Sequence, residues 1–223
     1  MPFDPSSKNR LTPHDLGRFP SASLFDRLGR AVCTAGCLPR KELYEAWELA
    51  RRVRRRFRGG RVVDVGGGHG LLAYAMLLLD RTSPGAVVVD PTPPPSAAAL
   101  RESLRAVWPN LPPVTHTAAP LERFSVAPGD VVVSCHACGA LTDRVLERAA
   151  EARARVAVLP CCHVVEHAQP PALAGWMDAT LAIDARRAVA LEQRGYTVWT
   201  AAIPAAITPK HRVLMGAPAG PAR

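Results

Sequence analysis

The chain has 223 residues, 48% of them hydrophobic, and a formal charge of +9 at neutral pH. That length suits one domain with a full core, and that hydrophobic share excludes general disorder. No apolar run reaches the ~18 residues of a membrane span and the N-terminus lacks a signal-peptide core, so the expectation is a cytoplasmic protein with reduced cysteines.

Residues 1–20 contain Pro and Ser and read as a loosely packed arm. Residues 21–58 read as two helices separated near Leu38-Pro39-Arg40. The second starts near Lys41 and carries an apolar stripe at Leu43, Trp47, Ala50, Val53 and Phe57. It ends in the basic run Arg51–Arg58. That run is either a solvated helix end, where cations are favoured, or a footprint for RNA phosphates. Lys8, Lys41 and Lys210 are the only lysines, so the charge is mostly arginine, which a GC-rich genome also produces. Cys33 and Cys37 lie four apart, a spacing that suits packing more than metal.

Beyond this extension (1–58), residues 59–223 alternate strand and helix. Strand candidates are 61–65, 86–90, 113–117, 130–135, 155–160, 196–202 and 211–216. Helical stretches at 70–80, 96–107 and 142–153, with a looser connection at 118–129, separate the first five. The alternation predicts an α/β fold with a mostly parallel seven-stranded sheet, and the helix-free link between the last two strands predicts an antiparallel pair at one edge. Residues 164–180 read as a substrate-facing loop, with Trp176 a stacking platform or a core anchor; 207–212 read as a basic hairpin loop.

The chemistry starts at residues 62–70, where Val-Val-Asp-Val runs into a glycine cluster. Asp64, Gly66, Gly68 and Gly70 are spaced acidic-x-Gly-x-Gly-x-Gly, with Gly67 and His69 inside the turn. A strand, glycine turn and helix let a nucleoside cofactor approach the backbone closely. Twenty residues on, a short apolar run ends in Asp90, placed to accept hydrogen bonds from ribose hydroxyls or, alternatively, to shape the turn before Pro91. Asp64 either joins the cofactor site or braces the loop amides. The spacing departs from the NAD fingerprint and resembles motif I of class I S-adenosylmethionine (SAM) methyltransferases, which implies a Rossmann-like fold and SAM as cofactor. In that superfamily Glu122 would lie near the adenine ring and Ser134 at a cofactor-facing strand tip.

The fourth and fifth strand candidates run into Cys135-His136-Ala137-Cys138-Gly139-Ala140-Leu141-Thr142-Asp143 and Pro160-Cys161-Cys162-His163. These are neighbours in a doubly wound sheet, so their thiols and imidazoles would meet beside the cofactor. The pair is similar to the HxCGxxTD and CCH signatures of eukaryotic tRNA acceptor-stem 2′-O-methyltransferases and of the methyltransferase domain of glutathione-S-transferase C-terminal-domain-containing proteins. Lys41-x-x-x-Glu45 likewise resembles an element that precedes motif I in these groups. The resemblance implies methyl transfer, possible RNA substrates, and His136, Cys138, Asp143, Cys161, Cys162 and His163 on the acceptor side.

Several readings of the cluster stay open. His136 or His163 orients or deprotonates a hydroxyl or amine; SAM chemistry needs mainly in-line positioning and removal of one proton. Cys135 and Cys138 with Cys161, Cys162 or His163 bind zinc. Cys161 is a covalent nucleophile. The cysteines are buried fillers and His136 a core residue. Thr142-Asp143 is expected to cap the following helix, with Asp143 alternatively orienting His136. The acceptor is RNA on the leading reading; a small molecule, a protein side chain, or a non-catalytic SAM or zinc module are the alternatives.

Overall fold

Valine dominates the inner strands β1 (Val62–Val65), β2 (Ala86–Val89), β4 (Val131–Ser134) and β5 (Arg155–Val158), and nearly every residue in them is buried. Such continuous apolar runs suit parallel strands covered on both faces. In the computed structural model, which describes residues 3–160, 163 and 172–220, they join β3 (Val114–Thr117), β6 (Tyr196–Ala202) and β7 (Arg212–Pro218) in one sheet. The order is β3-β2-β1-β4-β5-β7-β6. The first five strands run parallel; β7 inserts antiparallel between β5 and β6, so β6 becomes the edge. The expected seven-stranded, mostly parallel α/β architecture is the observed one. Strand order reverses between β1 and β4, and their carboxyl ends are where such sheets bind ligands.

One face of the sheet is covered by α1 (Leu24–Ala35), α2 (Arg40–Arg56), α3 (Leu71–Leu79) and α4 (Ala97–Val107), the other by α5 (Ala140–Glu151) and α6 (Ala179–Gln193). Leu28, Leu43, Leu49 and Val53 of the first two helices share one apolar cluster with Met76, Leu100 and Val131. The N-terminal extension is therefore a layer on this core.

The arm is not loosely packed. Leu11 and Phe19 are buried, Leu11 N–H donates to Leu38 O (2.9 Å) and Arg40 N–H donates to Asn9 O (3.0 Å). The physical reason is a close fit: Phe19 lies so near Gly29 that a Cβ there would come within 2.4 Å of the ring. A second correction concerns α6, which the sequence reading passed over. Its N-cap is Asp178, whose Oδ1 accepts from Thr180 and Leu181 N–H, but its buried positions are only Ala182, Ile183, Arg187 and Leu191. Trp176, just before it, is 86% exposed and anchors no core. Of the expected loop, residues 164–171 lie outside the described residues.

Two further details bear on function. Helix α5 begins at Ala140, so Thr142 and Asp143 sit inside its first turn and do not cap it; Thr142 Oγ1 donates to Ala137 O (2.5 Å). The basic run is not uniformly solvated. Arg54 is 2% exposed, donates to Met76 O and Ser83 Oγ and pairs with Asp80 (3.2 Å). Burial pulls its pKa down to about 10. Arg51, Arg55, Arg56 and Arg58 are exposed; of these Arg56 stacks over Trp199, Arg51 pairs with Glu48 and Arg58 donates to Leu79 O, while Arg52 donates to Ala202 O. Among the described residues no helix is long and apolar enough to cross a membrane.

Candidate functional site

The turn between β1 and α3 depends on glycine at two positions above all. A Cβ on Gly67 would stand 2.6 Å from the Asp64 carboxylate, and one on Gly70, at φ +81°, would stand 2.8 Å from Val88. Gly66 N–H donates to Val89 O (2.8 Å), which ties the turn to the tip of β2. The backbone is thus bare and held close to two neighbouring strands.

Asp64 lies beneath this turn, 1% exposed. Its Oδ2 accepts from Ala73 N–H (3.1 Å) in the first turn of α3, while Oδ1 has no hydrogen-bond partner among the described residues. Burial pushes its carboxyl up to about 7. Asp90, partly exposed at the tip of β2, accepts from Gly68 N–H through Oδ2 (3.0 Å) and from Thr92 N–H through Oδ1 (2.9 Å). It shapes the turn before Pro91 and clasps the glycine loop at once. His69 pairs with Ser96 Oγ (2.9 Å), and burial lowers its pKa. Ser134 Oγ donates to Val65 O (2.7 Å) and locks the tips of β1 and β4. Glu122 is exposed and paired with Arg144 of α5 (2.5 Å), whose hydrogen bond lowers its pKa.

A cavity between α2 and the turn is lined by Glu42, Asp64, Gly66, Gly67, Cys135 and His136, among others. Burial pushes the Glu42 carboxyl up, opposed by His136. Behind it Glu45, 2% exposed, holds Lys41 Nζ at 3.0 Å through Oε1, and Oε2 has no hydrogen-bond partner among the described residues. A carboxylate oxygen of Glu45, the Cys135 sulfur and a His136 ring nitrogen all lie within 4.8 Å of one another. The structure therefore joins Asp64, the glycine turn, His69, Cys135 and His136, and adds Glu42.

Sequence reasoning also missed His116, which lies level with Val88 in the sheet. Its Nε2 is buried close under the glycine turn, where the Gly68 and His69 backbone groups favour its charged form, and a Cβ on Gly70 would lie 3.5 Å from it. Burial lowers its pKa. The available signal was a lone histidine one residue before the tip of β3.

His163 belongs to a different cluster. Its Nε2 pairs with Asp184 Oδ1 of α6 (2.7 Å), and Asp184 also accepts from Arg212 Nε (2.7 Å) and Arg187 Nη1 (3.2 Å). Arg187 donates twice to Asp143, at 2.7 and 3.0 Å, so Asp143 turns to Arg187 and does not orient His136. Cys138 is exposed; Cys161 and Cys162 lie outside the described residues.

The site suits a nucleoside cofactor with a positively charged amino-acid tail. Bare backbone at Gly67 allows close approach, Asp90 offers a carboxylate at the strand tip, and the orphaned Asp64 Oδ1 favours a nearby cation. Comparison with known proteins agrees. Residues 41–167, more than half of the chain, match a family model described as a methyltransferase domain. No curated protein matches the sequence. An O-methyltransferase family protein from Burkholderia thailandensis superposes with a TM-score of 0.54 at 17% identity, covering 95% of this chain and 64% of that one. This chain thus spans less than two thirds of that protein. Magnesium protoporphyrin IX methyltransferase from Synechocystis, solved with bound SAH, gives 0.52 at 12% identity, covering 92% and 94% of the two chains. A putative RNA methyltransferase from Pyrococcus horikoshii gives 0.50 at 18% identity, covering 82% and 87%. The structural likenesses speak for the fold and the family match for the identity: the chain belongs to the methyltransferase-domain family and has the fold that these methyltransferases share.

Proposed function

We propose that the protein methylates a nucleophile on RNA, with His136 on the acceptor side of the cofactor cavity. The observation that carries this reading is that Asp64, Gly66 and Gly67 of the glycine turn line the same small cavity as Cys135 and His136. The cofactor supplies an electrophilic methyl group on a sulfonium. The protein's share is to grip and to aim. Asp90 is placed to receive ribose hydroxyls while steadying Gly68; Asp64 and Glu42 favour the positive amino-acid tail. His136 meets the acceptor and handles its proton, a role that typically contributes ~10²–10⁴-fold.

RNA is favoured by the charge of +9 and by where its exposed part lies. Helix α2 has 17 residues, about 25 Å of axis. Glu42 and Glu45 stand near its first end, and Arg51, Arg55 and Arg58 occupy or follow its last. A small molecule or protein side chain is the second reading, favoured by the internal engagement of Arg51, Arg52, Arg54, Arg56 and Arg58. Incubation with methyl-labelled SAM and separate RNA, protein and metabolite fractions tests the choice. Label in RNA, with salt-sensitive RNA binding weakened by Arg55→Glu, supports the proposal. Label confined to another fraction overturns the RNA assignment, and label in none overturns methyl transfer by this site.

A further inference from the structure

Glu45 sits on α2 where the apolar stripe faces the core. Lys41 occupies one of its oxygens, and the other is buried without a hydrogen-bond partner among the described residues. A carboxylate oxygen left in that state is costly. Across from it stand Cys135 and His136, the first two residues after β4, and the three donor atoms lie within 4.8 Å of one another. Oxygen, sulfur and nitrogen ligands thus converge from two elements on a buried carboxylate with spare bonding capacity.

We propose that Glu45, Cys135 and His136 bind a divalent cation of zinc's class. Zinc takes sulfur at about 2.3 Å and nitrogen or oxygen at about 2.0–2.2 Å, which places three donors roughly 3.3–3.8 Å apart, against the 4.8 Å within which this cluster already lies. Thiolate and carboxylate together neutralise the ion. Lys41, by holding Oε1, presents Glu45 as a single-oxygen ligand, an outer-shell role of the kind that orients metal ligands. Both supports are rigid: α2 packs on α3, and β4 lies between β1 and β5.

Three protein donors leave a fourth position, and Cys135 and His136 also line the cavity with Glu42 and Asp64. An open position is the catalytic zinc pattern, and it suits a hydroxyl- or thiol-bearing ligand. In this respect only, the inference rests on the methyl-transfer reading: with zinc bound, the ion acidifies the acceptor, whose proton passes to solvent, and His136 acts as the ion's ligand in place of the proton-handling role. Zinc binding itself stands apart from that reading.

The test uses the untagged full chain titrated with zinc alone against a competing chelator, and with cobalt(II) as a spectroscopic substitute. The expected result is one equivalent of zinc and a thiolate-to-cobalt charge-transfer band. Glu45→Gln and His136→Ala should each weaken zinc by more than the ~10–100-fold typical of outer-shell changes. Cys135→Ser should abolish the band, and the double change Cys161→Ser/Cys162→Ser should keep both zinc and band. If Glu45→Gln does not fold, as judged by circular dichroism, His136→Ala at the least buried ligand carries the comparison. Absence of stoichiometric zinc, or zinc lost with the Cys161/Cys162 pair and kept in His136→Ala, overturns the site. Zinc bound without any methyl transfer would sustain it while sinking the proposed function, and methyl transfer by a protein that binds no zinc would do the reverse.

Discussion

His136 and His163 follow adjacent parallel strands, β4 and β5, yet they stand in opposite surroundings. His136 borders a cavity whose other walls include the glycine turn and carboxylates raised by burial. His163 has a side chain only 3% exposed and is held by Asp184, which Arg187 and Arg212 hold in turn. One imidazole faces groups with spare bonding capacity; the other closes a chain of ion pairs that runs Asp143–Arg187–Asp184–Arg212 and fastens α5 and α6 to β7. Two histidines that follow neighbouring strands thus stand in different company, which matches a reactive role proposed for one and an architectural role for the other. Their partners differ: His163 Nε2 is tied into the ion-pair chain, although its Nδ1 is buried without a hydrogen-bond partner among the described residues, whereas His136 faces the orphaned oxygens of Asp64 and Glu45.

Replacing each histidine is the strongest way to break this contrast. His136→Ala should lower turnover by ~10²–10⁴-fold, the usual contribution of a positioned acid or base, with S-adenosylhomocysteine affinity kept in calorimetry. His163→Ala should cost thermal stability first, with turnover per folded molecule largely retained. If His163→Ala abolishes turnover at unchanged melting temperature, the architectural role is wrong. The next effect in size belongs to Asp184→Ala, which strands Arg187 and Arg212 together. Removing one partner of a buried ion pair costs about 3–5 kcal/mol, to be read from denaturant unfolding. A loss below 1 kcal/mol, on the order of a surface pair, would show that the network is slack.

Gly67→Ala probes the other side of the contrast. Its new Cβ would meet Asp64 at 2.6 Å, so the turn must shift. The expected stability loss is about 1–3 kcal/mol, as for overpacking elsewhere, together with weaker S-adenosylhomocysteine binding. Full affinity at full stability would show that the turn yields without cost.

The cofactor half of the site was open to sequence reading because its signals are local. A glycine that must avoid Asp64 and a valine run that must be buried on both faces leave their marks within nine residues, Val62 to Gly70. The architectural half was not, because its stabilisation is tertiary. Helix α6 buries Arg187 where a periodicity test expects an apolar residue, and that burial makes sense only once Asp143 and Asp184 are beside it. Glu45 was legible only as part of the Lys41-x-x-x-Glu45 element: its place on the core side of α2, beside Cys135 and His136, is set by tertiary packing. The arm at 1–20 was misjudged because two side chains, Leu11 and Phe19, hold it, too few to form a pattern.

The smallest expected effect sharpens the contrast most finely, since it asks whether Asp64 is poised for a charge. In the ligand-free protein its carboxyl is raised from 3.8 to about 7 by burial, opposed by the Ala73 amide. The native state therefore binds a proton more readily than the unfolded chain between those values, and its stability falls as pH rises through about 7. A bound ammonium favours the ionised form, so S-adenosylhomocysteine binding should expel that proton. Affinity should tighten as pH rises from 6 toward 8, by less than about tenfold per unit for a single proton. Calorimetry in two buffers of different ionisation enthalpy should register fractional proton release near pH 7. Asp64→Asn should flatten both dependences. A pH-independent affinity in the unaltered protein would mean that the tail's charge lies elsewhere, and that Asp64 serves only to brace the first turn of α3.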